Sequence, residues 1–362
     1  IDEVHRAGAE SYQRIIDYFK PKFLLGMTAS PERTDGYDLY NLFHHNIVYE
    51  IRLEQALEED LLCPFHYFGI SDLWIDGKEI NLEKDIISFS NLSESERVDK
   101  IIEKIRYFGH SGSRVKGLVF CSNKKEAKEL SDAFNLRKFR TISLTGDDSQ
   151  AKREDAITRL TGTGAYQGFV DDQLDYIFTV DIFNEGVDIP EVNQVIMLRQ
   201  TESPIVFIQQ LGRGLRKFED KEYVVILDFI GNYSNSYMIP LALSGDRSYN
   251  KDTLRKYVQS GNRIIPGTST VHFDAIAKKR IFAAIDTANL SSAKLIKEAY
   301  LDLKYKLGHI PRIKDFKDYG SIDITKIFNK YKSYHHFLTQ IKDKDYKIVF
   351  TPIQEQMLHF IS

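Results

Sequence analysis

Short apolar runs alternate with amphipathic helical stretches through the first 235 residues, and this alternation constrains the fold more than any other feature of the chain. Runs that are apolar at nearly every position are typical of parallel strands covered on both faces. The predicted strands are residues 22–27, 117–121, 141–144, 176–180, 195–198 and 223–227, and the predicted helices are 96–108 and 124–135. We therefore predict an α/β fold with a parallel sheet, whose functional residues gather on loops at the carboxyl ends of strands.

The pattern changes beyond Gly231, where helical periodicity dominates and lysine and tyrosine become more frequent. No continuous strand is expected there, and residues 244–250 and 261–270 are predicted loops. A mainly helical C-terminal region follows.

Charge is distributed unevenly along the 362 residues. Residues 241–362 hold 21 Lys and Arg against 12 Asp and Glu, whereas the first 240 hold 28 against 40. A basic region on an acidic body indicates a polyanionic partner, but a solvated lysine-rich surface explains it equally well.

Cysteine usage and hydropathy exclude several classes of protein. Cys63 and Cys121 are too far apart for a zinc motif or a disulfide scaffold, so we expect a reducing cytoplasm. No apolar run reaches the roughly 20 residues that span a bilayer, and no signal peptide is evident. Because the chain opens at Ile1 without a methionine, we expect it to be a fragment.

Two short segments near the start carry candidate chemistry. Asp2 and Glu3 can divide the work around a nucleotide–Mg²⁺ complex, one holding the metal and the other activating water. An isolated Asp-Glu pair is more often structural. Thr28 and Ser30 follow a predicted strand and can hydrogen-bond the acidic pair, although the segment also fits an ordinary loop opened by Ser-Pro.

Two later segments pair backbone turns with charge. In residues 178–190 a strand leads to Gly186, which permits close backbone approach, and to the acceptor Asp188; a plain strand and turn is the alternative. Arg213 and Arg216 are three residues apart, so on a helix they would share a face and clamp phosphate oxygens. A solvated basic helix start explains them less well, because the glycines on both sides of Arg213 are poor helix formers.

In order and spacing, these segments resemble motifs II, III, V and VI of superfamily 2 helicases. The branch is the one with DEAH-like boxes, which includes restriction-enzyme motor subunits and the XPB-like and UvrB-like helicases. The matching segments are DEVH at 2–5, TAS at 28–30, residues 183–190 and residues 209–216, with residues 117–123 resembling motif IV and Thr145-Gly146 the loop after it.

The resemblance implies RecA-like lobes. Residues 1–62 would be the remnant of a truncated first lobe, 63–238 a complete second lobe, and 239–362 a helical accessory domain. It also implies ATP and Mg²⁺ as cofactors and DNA as partner, with RNA still open.

The resemblance further assigns a role to each matching residue. In the nucleotide site, Asp2 would hold Mg²⁺, Glu3 would activate water, and Arg213 and Arg216 would reach the γ-phosphate. Asp188 beside Gly186 would contact the ribose or an arginine. His5 would couple to Gln209, and Thr28 with Ser30 would relay the nucleotide state. The residues expected at nucleic acid are Thr145, Gly146 and Thr179.

One expected motif is missing from the sequence. No G-x-x-x-x-G-K-S/T phosphate-binding loop occurs, and the family carries that loop upstream of the DExH box. We therefore expect a helicase or translocase fragment that is inactive alone. The resemblance also suggests a restriction or phage-defence role, with a nuclease module in the same protein or complex. The alternative is a regulatory or scaffold protein that uses a non-hydrolysing helicase fold.

Residues 301–338 are similar to small helical repeats appended to some helicases and homing endonucleases. There, lysines such as Lys330 and Lys332 could contact phosphates, and Tyr331 and Tyr334 could stack on bases. An ordinary helical bundle with core aromatics is the alternative reading.

Overall fold

A computed structural model describes residues 1–28, 37–71, 94–162, 172–180, 182, 189–199, 204–212, 214–230, 235–260 and 268–361. The described chain forms two compact units. One comprises residues 1–51, 246–253 and 289–362, and the other comprises residues 52–245 and 254–288.

The second unit is built on a seven-stranded sheet in which every described pairing is parallel. The strands lie in the order β3-β4-β2-β5-β6-β1-β7. Their bounds are β1 Phe65–Ser71, β2 Gly117–Phe120, β3 Thr141–Leu144, β4 Tyr176–Thr179, β5 Gln194–Met197, β6 Val224–Ile230 and β7 Thr270–Phe273. Strands β2, β4, β5 and β6 are buried at every position, so both faces of the sheet are covered. The predicted α/β fold with a parallel sheet is confirmed.

Helices connect the strands and form the C-terminal region. In chain order they are α1 Glu10–Phe19, α2 Leu53–Glu58, α3 Glu94–Phe108, α4 Lys124–Leu136, α5 Gln150–Thr161, α6 Pro204–Gly212, α7 Met238–Ser244, α8 Lys251–Ser260, α9 Ala275–Thr287, α10 Ala293–Leu307, α11 Ile313–Asp318, α12 Thr325–Tyr331, α13 Tyr334–Gln340 and α14 Pro352–Ile361. Two short 3₁₀ helices span Val4–Gly8 and Tyr40–Phe43. In the described part of the chain, no helix is long and apolar enough to cross a membrane.

One face of the sheet packs against α3 and α4. Val98, Ile101 and Ile105 of α3 form one core cluster with Leu130 and Phe134 of α4 and with side chains of the central strands. Burying these apolar side chains, at about 1.5–3 kcal/mol each, is the main stabilisation of this layer.

Two predictions about strands are wrong. Residues 22–27 do not form a strand: three main-chain hydrogen bonds join them to residues 1–4, from Ile1 N to Leu25 O (2.6 Å), from Met27 N to Ile1 O (2.9 Å) and from Val4 N to Met27 O (3.0 Å), and these do not extend into a ladder. Strands also continue beyond Gly231, because β7 pairs with β1 over four residues. So short a segment carries little signal of its own, and its place in the sheet depends on tertiary contacts. A Cβ on Gly69 would lie 2.5 Å from Cδ1 of Phe273, so only glycine admits that ring beside β1.

Part of the C-terminal region forms a small helical bundle. Helices α10 to α13 enclose a core that contains Tyr300, Phe316 and Phe337. Inside it, Lys304 Nζ lies 2.7 Å from Oδ1 of Asp343, and Tyr300 donates to Oδ2 of the same carboxylate at 2.7 Å. The mainly helical C-terminal region is thus confirmed.

Candidate nucleotide and nucleic-acid sites

The acidic pair at the start of the chain lies on a sharp turn. Glu3 has a left-handed backbone conformation (φ 48°, ψ 44°) immediately before the 3₁₀ helix Val4–Gly8. This conformation is uncommon for a non-glycine residue and indicates local strain held by the surroundings. Asp2 is exposed, and its Oδ1 accepts a hydrogen bond from Glu3 N at 2.9 Å.

A histidine connects the acidic pair to the segment around Thr28. His5 Nδ1 lies 2.9 Å from Oγ1 of Thr28 and 3.3 Å from Oε2 of Glu3. The backbone bond from Val4 N to Met27 O holds the two segments side by side. The structure therefore brings Glu3, His5 and Thr28 together, while Ser30 lies outside the described residues.

A single exposed carboxylate fits a Mg²⁺ ion bound mainly through water and nucleotide phosphates, because such ions need few protein ligands. Asp2 has this character. Among the described residues, no group of three or more His, Cys, Asp and Glu side chains could form an all-protein metal cage. The arrangement suits a nucleotide-dependent metal better than a permanent one.

The loop after β3 is exposed and braced from both ends. Asp148 Oδ2 accepts from Thr145 N at 2.7 Å, and Arg153 donates to the carbonyl oxygens of Thr145 (3.3 Å) and Gly146 (2.9 Å). Ser149 caps the following helix α5. The loop thus presents a fixed backbone turn with a guanidinium beside it, which is suitable for a phosphate contact.

Thr179 ends β4 and is fully buried. Its hydroxyl has no hydrogen-bond partner among the described residues, and its carbonyl accepts from Cys121 N at 2.9 Å. Because Thr179 is buried, a phosphate can contact this hydroxyl only if adjacent segments of the protein move. Gly186 and Asp188, which follow it, lie outside the described residues.

Of the arginine pair, the structure describes Arg216, which does not lie on a helix, so the shared helix face stays a prediction. Helix α6, to which Gln209 belongs, ends at Gly212, and Arg216 lies exposed beyond it, whereas Arg213 is outside the described residues. The reason is the tight turn at Gly214. A Cβ there would lie 2.8 Å from Cγ1 of Val224 and 3.3 Å from Cγ2 of Val195, so the turn packs directly onto the sheet.

A buried lysine that the sequence does not single out lies beside this turn. Lys221 is 7% exposed, and its ammonium group donates to the carbonyl oxygens of Pro190, Val192 (3.1 Å) and Gly214 (3.0 Å). Burial lowers the pKa of this lysine from 10.5 to about 8. No signal in the sequence marks it, because DKEY before a strand is typical of a solvated turn.

The C-terminal bundle exposes Lys330 and Lys332 and packs Tyr331 and Tyr334 against its core. Lys330 near the end of α12 and Lys332 just after it are both exposed. Tyr331 packs on Phe337 with ring centroids 5.1 Å apart, and Tyr334 donates to the Pro311 carbonyl at 2.8 Å while its ring packs into the core. Both tyrosines are partly buried against the bundle core, which favours an ordinary helical bundle with core aromatics, and stacking on bases stays a prediction.

Three families match separate parts of the chain. Residues 1–33 match the type III restriction enzyme res subunit, residues 96–218 the helicase conserved C-terminal domain, and residues 296–362 a domain of unknown function, DUF8090. The first covers the acidic pair and the second covers strands β2 to β5 with their loops, so the resemblance to superfamily 2 helicases is confirmed.

Individual relatives agree with this assignment. The chain is 28% identical over 258 residues to IRC3 of Saccharomyces cerevisiae, which carries the name of an ATP-dependent helicase, a match covering 68% of this chain and 36% of the relative. It is 26% identical over 268 residues to the DNA 3'-5' translocase XPB2 of Sulfurisphaera tokodaii, covering 62% of this chain and 56% of that protein. The chain thus spans between a third and three-fifths of the length of these two relatives.

A solved structure resembles the chain in fold. The ATP-dependent type ISP restriction-modification enzyme LlaBIII, bound to DNA, superposes with a TM-score of 0.50 at 16% identity. The match covers 99% of this chain and 29% of the enzyme.

Proposed function

We propose that this chain, which belongs to superfamily 2 of the ATP-dependent helicases, is part of a motor that couples ATP hydrolysis to movement along DNA. The observation that carries the proposal is the connection of Glu3 through His5 to Thr28. It gives the acidic pair a mechanical link to a second segment, which a purely structural Asp-Glu pair would not need.

The acidic pair would form the hydrolytic half of the nucleotide site, in a DEAH-like box. Asp2 would hold Mg²⁺, which screens the phosphate charge when bound. Glu3 would orient a water molecule and take its proton, as the water oxygen bonds to the γ-phosphorus and the bond from that phosphorus to the β,γ-bridging oxygen breaks.

The second half of the site would come from the loops of the parallel sheet. Arg213 and Arg216 would neutralise charge on the γ-phosphate during transfer. Asp188, with Gly186 beside it, would bind the ribose or an arginine, and Gln209 would couple to His5. Hydrolysis changes the charge between the two halves, so each nucleotide state would favour a different separation of the lobes.

DNA would be held by backbone contacts. The braced loop at Thr145 and Gly146 supports this, as do the exposed Lys330 and Lys332. A role for Thr179 requires its buried hydroxyl to become accessible. The names of XPB2 and LlaBIII favour DNA over RNA as the track.

We further propose that residues 1–62 belong to the first motor lobe, 63–238 to the second and 239–362 to an accessory domain. Without a phosphate-binding loop in its sequence, the chain alone would not hydrolyse ATP. A restriction or phage-defence role, with a nuclease module as partner, would fit the match to the res subunit. The two free, buried cysteines suit a cytoplasmic setting.

The decisive experiment uses the motor polypeptide, meaning this chain preceded by a segment with a phosphate-binding loop. Its ATPase rate is measured alone and with single-stranded DNA, duplex DNA and RNA. DNA should stimulate the rate, and Glu3→Gln should lower it by about 10²- to 10⁴-fold while ATP binding persists. Glu10→Gln, at an exposed carboxylate of α1, is the matched control.

Three outcomes would contradict the proposal or a part of it. Absence of ATPase activity with every nucleic acid would favour a scaffold that uses the fold without hydrolysis. Stimulation by RNA alone would support the motor function but identify RNA, not DNA, as its substrate. A rate unaffected by Glu3→Gln would remove Glu3 from the mechanism.

A further inference from the structure

We propose that Lys221 is a positioning residue for the ATPase site, holding the segment after Asp188 against the turn between Arg213 and Arg216. The inference rests on the proposed function, because it gives Lys221 a role only if these segments handle nucleotide. It concerns a residue outside the helicase motifs.

The geometry places one ammonium group between two distant stretches of main chain. Lys221 Nζ donates to Pro190 O and Val192 O on one side and to Gly214 O on the other. Pro190 is two residues after Asp188, and Gly214 lies directly after Arg213. An ammonium has three donors and no acceptor, so these three carbonyls use its whole hydrogen-bonding capacity.

Burying a lysine is unfavourable unless its ammonium group is hydrogen-bonded, because removing a charged amine from water costs free energy. An apolar side chain would fill the space but leave three buried carbonyls without this donor. The titratable groups facing Lys221 are Cys63 and Glu191, whose anionic forms favour its protonated form, and Lys116, which opposes it. Burial is the largest influence and lowers the pKa to about 8, so the clamp is charged near neutral pH and loses a donor and its charge above pH 8.

The consequence is that the two segments are held as one body. Cys63 N donates to Leu215 O at 2.7 Å, which fixes the turn on its other side. A shift of Pro190 and Val192 relative to Gly214 would therefore break hydrogen bonds to the shared ammonium group. Displacement of a catalytic group by about 1 Å can cost about 100-fold in rate.

The test compares the motor polypeptide with its Lys221→Met and Lys221→Arg variants. Lys104→Met, at a partly exposed lysine of α3, serves as control. Circular dichroism melting establishes the folded fraction, and kcat and KM for ATP are measured between pH 6.5 and roughly 9.5, around the pKa of about 8.

After normalisation to folded protein, Lys221→Met should lower kcat by about 10- to 100-fold and raise KM, because both segments lose their register. The wild-type rate should fall as pH rises through about 8, whereas Lys221→Arg, permanently charged, should show no fall in that range. If Lys221→Met does not fold, the wild-type and Lys221→Arg pH profiles decide the matter.

Each result separates the two proposals. A wild-type protein without nucleic-acid-stimulated ATPase activity overturns the proposed function itself. An active wild type with unchanged kcat and KM in Lys221→Met, or with the same pH profile in Lys221→Arg, overturns the positioning role alone. A loss of kcat that is fully explained by the unfolded fraction also overturns it, since lost folding leaves KM unchanged.

Discussion

His5 Nδ1 lies 2.9 Å from Oγ1 of Thr28, and this hydrogen bond joins the helix that begins after the acidic pair to the end of the next extended segment. The two residues are 23 positions apart in the chain. Because the same nitrogen lies 3.3 Å from Oε2 of Glu3, a change at Thr28 reaches the proposed catalytic carboxylate in one step.

We expect Thr28→Ala to lower the DNA-stimulated ATPase rate of the motor polypeptide by about 5- to 10-fold, which corresponds to one hydrogen bond of about 1 kcal/mol. Thr28→Ser, which keeps the hydroxyl, should retain most of the rate. Steady-state kinetics with and without DNA provide the measurement. Equal rates in the alanine and serine variants would remove the hydroxyl from the coupling.

Gly214→Ala should destabilise the sheet unit by about 1–3 kcal/mol, because the new methyl group would overlap Val224. Gly212→Ala is a matched control: no described atom lies within 4 Å of its added Cβ, so its free energy of unfolding should stay within about 0.5 kcal/mol of wild type. Urea denaturation of both variants measures the difference. Equal stability of the two would show that the turn does not pack on the strand.

Acid should weaken the C-terminal bundle through Asp343. Burial raises the pKa of this carboxyl, but hydrogen bonds from Lys304 and Tyr300 outweigh burial and hold it below 3.8. The folded state thus binds fewer protons than the unfolded state, so the contribution to stability is present above pH 3.8 and is lost as pH falls through the lower, folded pKa.

Breaking this buried pair should be costly at neutral pH. The side chains of Lys304 and Asp343 are 13% and 2% exposed, so Lys304→Met should cost about 3–5 kcal/mol. Lys294→Met, whose lysine is exposed on the same helix, should cost less than about 1 kcal/mol. Denaturation at pH 7 and below pH 4 measures both effects. If stability falls with pH in the Asp343→Asn variant as it does in wild type, Asp343 is not the group responsible for the loss in acid.

Reversing both charges at Lys330 and Lys332 should weaken DNA binding by the chain. If each lysine contacts one phosphate, the slope of log K against log salt should become shallower by about 1.8. The double variant Lys342→Glu with Lys344→Glu makes the same charge change elsewhere in the bundle. Fluorescence anisotropy at several salt concentrations compares them, and an equal loss in both variants would indicate a diffuse field instead of a binding surface.

The sequence reveals those parts of the fold that short-range pattern determines. Strands β2 to β6 coincide with predicted strands to within a few residues, because a run of buried residues is visible without knowledge of its neighbours. Strand β7 is not visible in this way, since Val271 and Phe273 become core residues only beside β1. Residues 22–27 show the converse, an apolar run that lacks enough paired neighbours to be a strand.

In the candidate site too, residues in local motifs could be predicted from the sequence, whereas those that depend on tertiary contacts could not. Asp2, Glu3, His5 and Thr28 are recognisable because their motifs are short, and the structure brings Glu3, His5 and Thr28 into contact. The helix expected around Arg216 fails because a nearby glycine packs against the sheet, which is a tertiary constraint. Lys221 depends on three carbonyls from two distant segments, and no local pattern encodes such a meeting.

Strand β7 also determines where the sheet unit can be cut for study. Asp274, which follows it, accepts hydrogen bonds from the backbone and side chain of Ser71 at the end of β1 and caps α9. A fragment ending after β6 would therefore leave the four residues of β1 that pair with β7 with an open hydrogen-bonding edge, the kind of surface through which proteins aggregate. Expression of this unit should extend to residue 288, even though all the helicase motifs end some 70 residues earlier.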